Sequence, residues 1–410
     1  MKRFIRILAV CSLMSLAMLK SAAGMTPAIR ELKQPTFSRP AFALPGGSVS
    51  VELETTAEGR ATAAAISPAL EAGASMPVAI DAPLKAGSNS FEFKLPAQAA
   101  PGLYDLCVSF VAAGQDKQDC QRHAVSVVKS FDAPFTFVQI TDYHMGDPRA
   151  ERQFPGMDIA QVRIAALEAA NRLNPSFVLI TGDITAYTET YEWAYPAAVK
   201  EMLDHARVPL IIIPGNHDFY AYSDDNGVIQ IDGRAIWPDF FGPTHTTLDF
   251  GPFRFICFNS YDWDSEPRNM NTAYQLKAGV THTYGGTMSS AEFAWVRAAF
   301  DTIGDRTPVL VSHHGPRQFE PIPMQWCKDC LTQGKFMSLI NKLEVPYYFY
   351  GHIHRNNVTK EKNTMAIATT SVGSDVDKNE LWGIRVARAS ADRTITTEFI
   401  KLFDAPPMKK

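Results

Sequence analysis

Five times between residues 135 and 354 an apolar run of strand length stops directly at a cluster of Asp, Asn or His. Phe135 to Thr141 runs into Asp142-Tyr143-His144, Phe177 to Thr181 into Gly182-Asp183, and Leu210 to Pro214 into Gly215-Asn216-His217-Asp218. Val309 to Ser312 is followed by His313-His314-Gly315-Pro316, and Tyr347 to Tyr350 by Gly351-His352-Ile353-His354. Runs that are apolar throughout fit strands buried on both faces of a sheet. The carboxyl ends of such strands line the ligand crevice of an open α/β sheet, so the five clusters are expected to converge there. Six of the ten histidines lie in them.

Amphipathic helices are expected between the runs. Ile159, Val162, Ala166, Ala169 and Leu173 recur at spacings of three and four before Asn174-Pro175 ends the pattern. Ser289-Ser290-Ala291-Glu292 reads as a capping box ahead of Phe293, Val296, Phe300 and Ile303. The first part of the chain differs. From Pro27 to Lys129 short segments of period two, such as Val49-Ser50-Val51-Glu52-Leu53, alternate with Pro and Gly clusters, which predicts an all-β sandwich. Pro101-Gly102-Leu103-Tyr104-Asp105-Leu106 resembles the strand entering the core of immunoglobulin or fibronectin-type modules. With His123 as its one histidine, this region reads as a non-catalytic accessory domain.

The start of the chain bears on compartment. Met1-Lys2-Arg3, the apolar stretch Ile7 to Leu19 and the small residues Ser21-Ala22-Ala23 make a signal peptide over residues 1–23. The stretch is shorter than the ~20 residues that span a bilayer, so no stable membrane insertion is expected, and the mature protein is read as exported, periplasmic or extracellular. In an oxidising compartment Cys107 and Cys120, on two neighbouring alternating segments, are expected to form a cross-strand disulfide. Cys327-Lys328-Asp329-Cys330 reads as a disulfide tightening a surface loop, and Cys257 as a buried free thiol. A net charge of −4 over 410 residues offers no cationic field for nucleic acid.

Carboxylate, imidazole and one amide oxygen, without thiolate, suit Mn, Fe or Zn in a reactive site better than a structural zinc. Seven donors exceed what one tetrahedral ion takes and fit two ions that share a carboxylate. Gly182, Gly215 and Gly351 would let the backbone come close to them.

The motifs D-x-H, G-D, G-N-H-D, H-H-G-P and G-H-x-H, in this order, resemble those of the calcineurin-like metallophosphoesterases. The resemblance implies an α/β fold, a two-sheet αββα sandwich over residues 134–404, preceded by the small all-β sandwich of residues 27–129. It implies that Asp142, His144 and His354 hold one ion, that Asn216, His313 and His352 hold the second, and that Asp183 bridges. His217 would stabilise developing charge or protonate the leaving oxygen, with Asp218 orienting its ring; His314 would approach the substrate or pack. Purple acid phosphatases have a tyrosine ligand where this chain has Ala186, and protein phosphatases have arginines where it has Ile184-Thr185 and Phe219-Tyr220, which disfavours a tyrosinate-ligated site and a phosphoprotein substrate.

The expected activity is hydrolysis of a small-molecule phosphate ester by a hydroxide shared between the ions, leaning to phosphodiesters. A phosphomonoesterase of the same fold, or a binding or adhesion protein with a structural metal site, is the alternative. The aromatic clusters Phe219-Tyr220, Trp237 to Phe241 and Tyr261 to Trp263 are expected to pack beneath loops.

Overall fold

The computed structural model describes residues 25–264, 268–270, 284–319 and 333–409. The expected leader over residues 1–23, His282 and the Cys327/Cys330 pair lie outside the described residues.

The N-terminal strands are β1 (Leu32–Gln34), β2 (Ala41–Ala43), β3 (Ser48–Thr55), β4 (Gly59–Pro68), β5 (Met76–Leu84), β6 (Gly87–Lys94), β7 (Gly102–Ala112) and β8 (Gln115–Val127). They form one sheet of order β1-β3-β6 and a second of order β2-β8-β7-β4-β5. Alternation decides which residues go inside: every second residue of β3 is buried, and Val49, Val51 and Leu53 share one core with Ile66, Leu106, Val108 and Phe110 of the other sheet. Cys107 and Cys120 face each other in the β7–β8 register and form the disulfide.

The second part alternates strands and helices. Parallel strands β9 (Phe135–Ile140), β10 (Phe177–Thr181) and β11 (Leu210–Ile213) start it, with helices α1 (Arg149–Gln153), α2 (Ile159–Leu173) and α3 (Tyr191–His205) between them. A small hairpin, β12 (Ala221–Ser223) and β13 (Ile229–Asp232), leads to α4 (Gly233–Phe241). A second sheet follows, from β14 (Thr246–Phe250), β15 (Phe253–Cys257), β16 (Thr307–Val311), β17 (Tyr347–Tyr350), β18 (Asn357–Glu361) and β19 (Thr364–Ala368), with α5 (Ser290–Asp301) and α6 (Gln333–Lys342) interleaved. The chain then returns through β20 (Gly383–Ala389) and β21 (Ile395–Lys401), giving a first sheet of order β11-β10-β9-β20-β21.

The strand period of two builds four layers. Val138, Ile140, Val178, Ile180, Leu210 and Ile212 point to α2, α3 and α4. Phe135, Phe137, Phe177, Leu179, Ile211 and Ile213 point the other way and meet Phe253, Phe255, Val309, Val311 and Phe349 of the second sheet. On the far side of that sheet Ile256, Leu310 and Tyr348 meet Val296 and Phe300 of α5 and Phe336 and Ile340 of α6. This is the expected αββα order. The layer between the sheets is largely aromatic, with Phe137 and Phe177 stacked at 5.3 Å; each fully buried Phe contributes about 1.5–3 kcal/mol, which fixes the sheets face to face. Cys257 is a free thiol in this layer, pushed up to about 12 by burial.

Of two local expectations, one holds and one is modified. Helix α2 begins and ends as read, with Asp158 capping it and Asn174 left-handed at its end. At α5 the Ser289 hydroxyl accepts from the Glu292 N–H at 3.1 Å, but Glu292 does not return the bond. Its carboxylate instead accepts from the Asn259 N–H and pairs with His245, each at 2.8 Å.

Candidate metal centre

The carboxyl ends of β9, β10 and β11 meet those of β16 and β17 across the two sheets, and the turns that leave them are tightly wound. Asp142, His144, Asp183, His352 and His354 all have left-handed backbones, with φ of 53°, 45°, 53°, 70° and 53°. Non-glycine residues rarely adopt this region, and each instance costs about 1–3 kcal/mol that the surroundings must offset. Cross-strand bonds supply part of the constraint: the His144 N–H donates to the Asp183 carbonyl at 2.7 Å and the Gly351 N–H to the His313 carbonyl at 2.9 Å. Glycine is needed where the turns touch. A Cβ on Gly351 would lie 1.9 Å from Thr141 Oγ1, and one on Gly215 would lie 2.1 Å from Asp183 Oδ1.

The structure brings all seven expected ligands together. Asp142 Oδ1 lies 3.2 Å from His354 Nε2 and 3.7 Å from His144 Nε2, and the two histidine nitrogens are 3.2 Å apart. Across the cleft His352 Nδ1 lies 3.1 Å from Asn216 Oδ1 and 3.2 Å from His313 Nε2. Asp183 Oδ2 sits between the groups, 3.4 Å from His144 Nε2 and 3.1 Å from His313 Nε2. Donor atoms this close, all oxygen or imidazole nitrogen and nearly all buried, fit two cations sharing one carboxylate oxygen.

Other atoms of the same residues are tied back so that the donors face inward. Asp142 Oδ2 accepts from the Thr141 hydroxyl at 2.8 Å, and the His352 N–H is shared between Oδ2 at 3.0 Å and Oδ1 at 3.2 Å, while Oδ1 also faces the His144 and His354 rings. Asp183 Oδ1 accepts from the His217 N–H at 2.8 Å. His313 Nδ1 donates to the Thr181 carbonyl at 2.8 Å, and His354 Nδ1 to Asp375, 2.9 Å from its carbonyl and 3.2 Å from its Oδ1. Asn216 Nδ2 donates to the Tyr220 hydroxyl at 2.6 Å, with Oδ1 turned to the cleft 3.1 Å from His352 Nδ1. Asp147 Oδ2 is 3.5 Å from His144 Nδ1, and Gln139 Nε2 ties β9 to β17 through the Tyr350 carbonyl at 2.8 Å. Sequence reading missed Asp147, Asp375, Tyr220 and Gln139; the three-residue offset of Asp147 from His144 was the one local signal.

One role assignment needs revision, and one left open is decided. Asp218 does not touch the His217 ring. Its carboxylate accepts from the Thr185 N–H and the Gly215 N–H, both at 2.8 Å, and so fastens the β10 turn to the β11 turn. The His217 ring is held by the Ala186 carbonyl, to which Nδ1 donates. A carbonyl can only accept, so Nδ1 carries the proton and Nε2 is left bare. His314 packs: it is fully buried, Nδ1 is 2.9 Å from the Ser260 hydroxyl, and Nε2 donates to the Tyr284 carbonyl at 2.9 Å. Its nitrogens come close to those of His313 and His352, yet both already have protein partners.

The electrostatics are those of an anionic core ringed by imidazoles. Burial disfavours charge on Asp142 and Asp183, but the histidines outweigh it, His354 foremost for Asp142 and His313 for Asp183, and both carboxyls are held well below the usual range. Burial likewise pulls His313 and His354 down, but Asp183 lifts the first to about 9 and Asp142 the second to about 10. Burial and the neighbouring His313 push His352 down to about 3, and burial takes His217 to the same value. Imidazole ligates only when neutral, so cations entering this site replace protons on His313 and His354.

A cavity of 540 Å³ opens onto the cluster, lined by Asp183, Asn216, His217, His352 and His354 together with Arg149, Tyr187 and Tyr220. Most of the aromatic clusters pack as expected, with Phe219, Trp237, Phe241, Tyr261 and Trp263 buried; Tyr220 is both buried and part of the site.

Residues 135–356 match the calcineurin-like phosphoesterase family. The chain belongs to this family. Its members depend on a dinuclear metal centre, and the chain is a hydrolase of phosphoric ester bonds. A probable cyclic nucleotide phosphodiesterase of Fibrobacter succinogenes is 22% identical over 255 residues, covering 59% of this chain and 81% of that protein. A probable glycerophosphodiester phosphodiesterase of Arcobacter nitrofigilis is 21% identical over 250 residues, covering 58% and 79%. Among solved structures, a purple acid phosphatase from yellow lupin (Lupinus luteus) seeds superposes with a TM-score of 0.50 at 12% identity, over 93% of this chain and 73% of that one. Identity this low shows a shared fold.

Proposed function

We propose that the protein is an exported phosphodiesterase acting on a small-molecule phosphodiester at a dinuclear centre. Asp142, His144 and His354 would hold one ion, Asn216, His313 and His352 the other, and Asp183 would serve both. The observation that carries the assignment is the single oxygen Asp183 Oδ2, within 3.4 Å of His144 Nε2 and 3.1 Å of His313 Nε2. Two bound Mn, Fe or Zn ions would supply Lewis acidity and lower the pKa of water. His217, pinned through Nδ1, exchanges protons at Nε2: it takes one from the attacking water and delivers it to the leaving oxygen as the P–O bond breaks. Water thus adds one oxygen to phosphorus, and the alcohol leaves protonated.

The two named relatives support the phosphodiester preference. Export is supported by the residue 1–23 pattern and by the Cys107–Cys120 disulfide, a bond kept in oxidising compartments. Among the described residues no helix is long and apolar enough to cross a membrane. For the N-terminal module an immunoglobulin or fibronectin-type relationship is supported by the Tyr104 hydroxyl, which donates to the Ala100 carbonyl at 2.8 Å in the manner of a tyrosine corner.

The test compares release of nitrophenol from mono- and bis-nitrophenyl phosphate by the Mn-loaded protein. Faster diester turnover is expected, and predominant monoester turnover would reverse the preference. His217→Ala should keep both metals, counted by elemental analysis, and lose about 10²–10⁴ in kcat. Unchanged turnover with metal bound would rule out its proton-transfer role, whereas no turnover of either ester by the metal-loaded wild type would favour a binding protein with a structural site.

A further inference from the structure

One guanidinium on the cavity wall has more donors than the protein uses. Arg149 opens α1, just after the first ligand cluster, and its side chain is 31% exposed. Nε donates to Asp147 Oδ2 at 2.7 Å, and its backbone N–H donates to Asp147 Oδ1 at 2.8 Å. Nη1 stands 3.6 Å from Asp375 Oδ1 and makes no hydrogen bond among the described residues. Nη2, besides its 2.7 Å contact with Asp147 Oδ2, reaches within 3.4 Å of His144 Nε2. Arg149 is therefore braced by the two carboxylates that stand behind His144 and His354, while part of its fork faces the cavity beside the metal ligands.

The bracing matters because most of the entropy of ordering an arginine is lost before any ligand arrives. A planar fork of N–H groups matches two oxygens of a phosphate, and such charge-assisted bonds are the strong ones. Asp147 takes Nε and one N–H of Nη2, and Asp375 stands 3.6 Å from Nη1, beyond hydrogen-bond distance, so N–H groups on both terminal nitrogens are left for a ligand.

We propose that Arg149 is a catalytic residue that clamps the substrate phosphate, donating from Nη1 and Nη2 to its non-bridging oxygens. The proposal rests on the phosphoesterase reading above, and a binding measurement separates the two. Calorimetric titration of the Mn-loaded protein with inorganic phosphate needs no turnover. Arg149→Met should weaken phosphate binding on the order of 10–100-fold while two metal ions per chain remain, and kcat/KM for the nitrophenyl diester should fall in parallel. Arg149→Lys should recover only part of the affinity, because an ammonium does not reproduce the fork. Unchanged phosphate affinity in metal-loaded Arg149→Met overturns the proposal. Lost metal with unchanged phosphate affinity per loaded site makes Arg149 a brace for Asp147 and Asp375 and overturns it as well. A wild-type protein that binds phosphate through Arg149 but hydrolyses no ester supports the clamp and sinks the enzymatic reading alone.

Discussion

An amide binds a cation only through its oxygen, and nothing about Asn216 alone decides which way its amide faces. The Tyr220 hydroxyl, 2.6 Å from Nδ2, anchors the nitrogen end while Oδ1 faces the cleft. Tyr220→Phe should therefore leave the fold intact and weaken metal binding about 10–100-fold, read as a dissociation constant from metal titration, because groups behind the ligands contribute on that scale. Wild-type affinity in the variant would mean that the amide orients itself. The candidate ligands themselves were legible in the sequence because each follows a strand end by two to four residues. Asp375 and Tyr220 were not legible, since neither forms a motif and Asp375 reaches His354 from 21 residues away. Asp218 was misread for a related reason: the family resemblance implied a contact with the His217 ring, whereas the fold sends the two neighbouring side chains to different partners.

The strand end followed by a glycine turn is the element that makes the site, and its tightness is measurable. At Gly351 an added methyl would meet Thr141 Oγ1 at 1.9 Å and Asp142 Oδ2 at 2.8 Å, both on the neighbouring strand end. Gly351→Ala should cost about 1–3 kcal/mol in stability through overpacking and also reduce metal content, followed by denaturant unfolding and elemental analysis. A variant with wild-type stability and two metals would show that the turn has slack. Strand identity was legible from apolar runs, and α2 from its three-and-four spacing. The second role of Glu292 was not, because its partners Asn259 and His245 belong to other elements.

Across the molecule the N-terminal module is less separate than its composition suggests. Phe37 packs in the core beneath α3 and α4, and Phe42 meets Phe177 and Phe250 between the sheets. The Ile212 N–H donates to the Ser38 carbonyl at 3.1 Å, so the segment covers the free edge of β11, the strand that leads to Asn216. Buried Arg39 adds bonds to the Ile212 and Pro243 carbonyls. Near this seam His123 is buried with Nε2 unpartnered, and it is held down to about 4 by burial, with Arg122 and Arg207 adding to the shift and Asp105 and Asp204 opposing it. Between pH 4 and its unfolded value near 6.5 the unfolded chain binds a proton there and the native chain does not. Its contribution is full above pH 6.5 and falls away as pH drops toward 4, by about 3 kcal/mol in all. His123→Asn, which tolerates the φ of 52°, should unfold in urea with a shallower loss of stability between pH 7.5 and 4.5. Parallel curves for the two proteins would contradict this.

The sequence by itself determined the two kinds of architecture, the strand-end motifs and the seven donors, because each depends on periodicity or on neighbours a few residues apart. The tertiary structure alone decided which oxygen of Asp183 lies between His144 and His313, how the Asn216 amide turns, what Asp218 holds, where Arg149 points, and how residues 37–42 seal β11. Each of these depends on groups brought together by sheet pairing and core packing across long stretches of chain, and no local pattern encodes such a meeting.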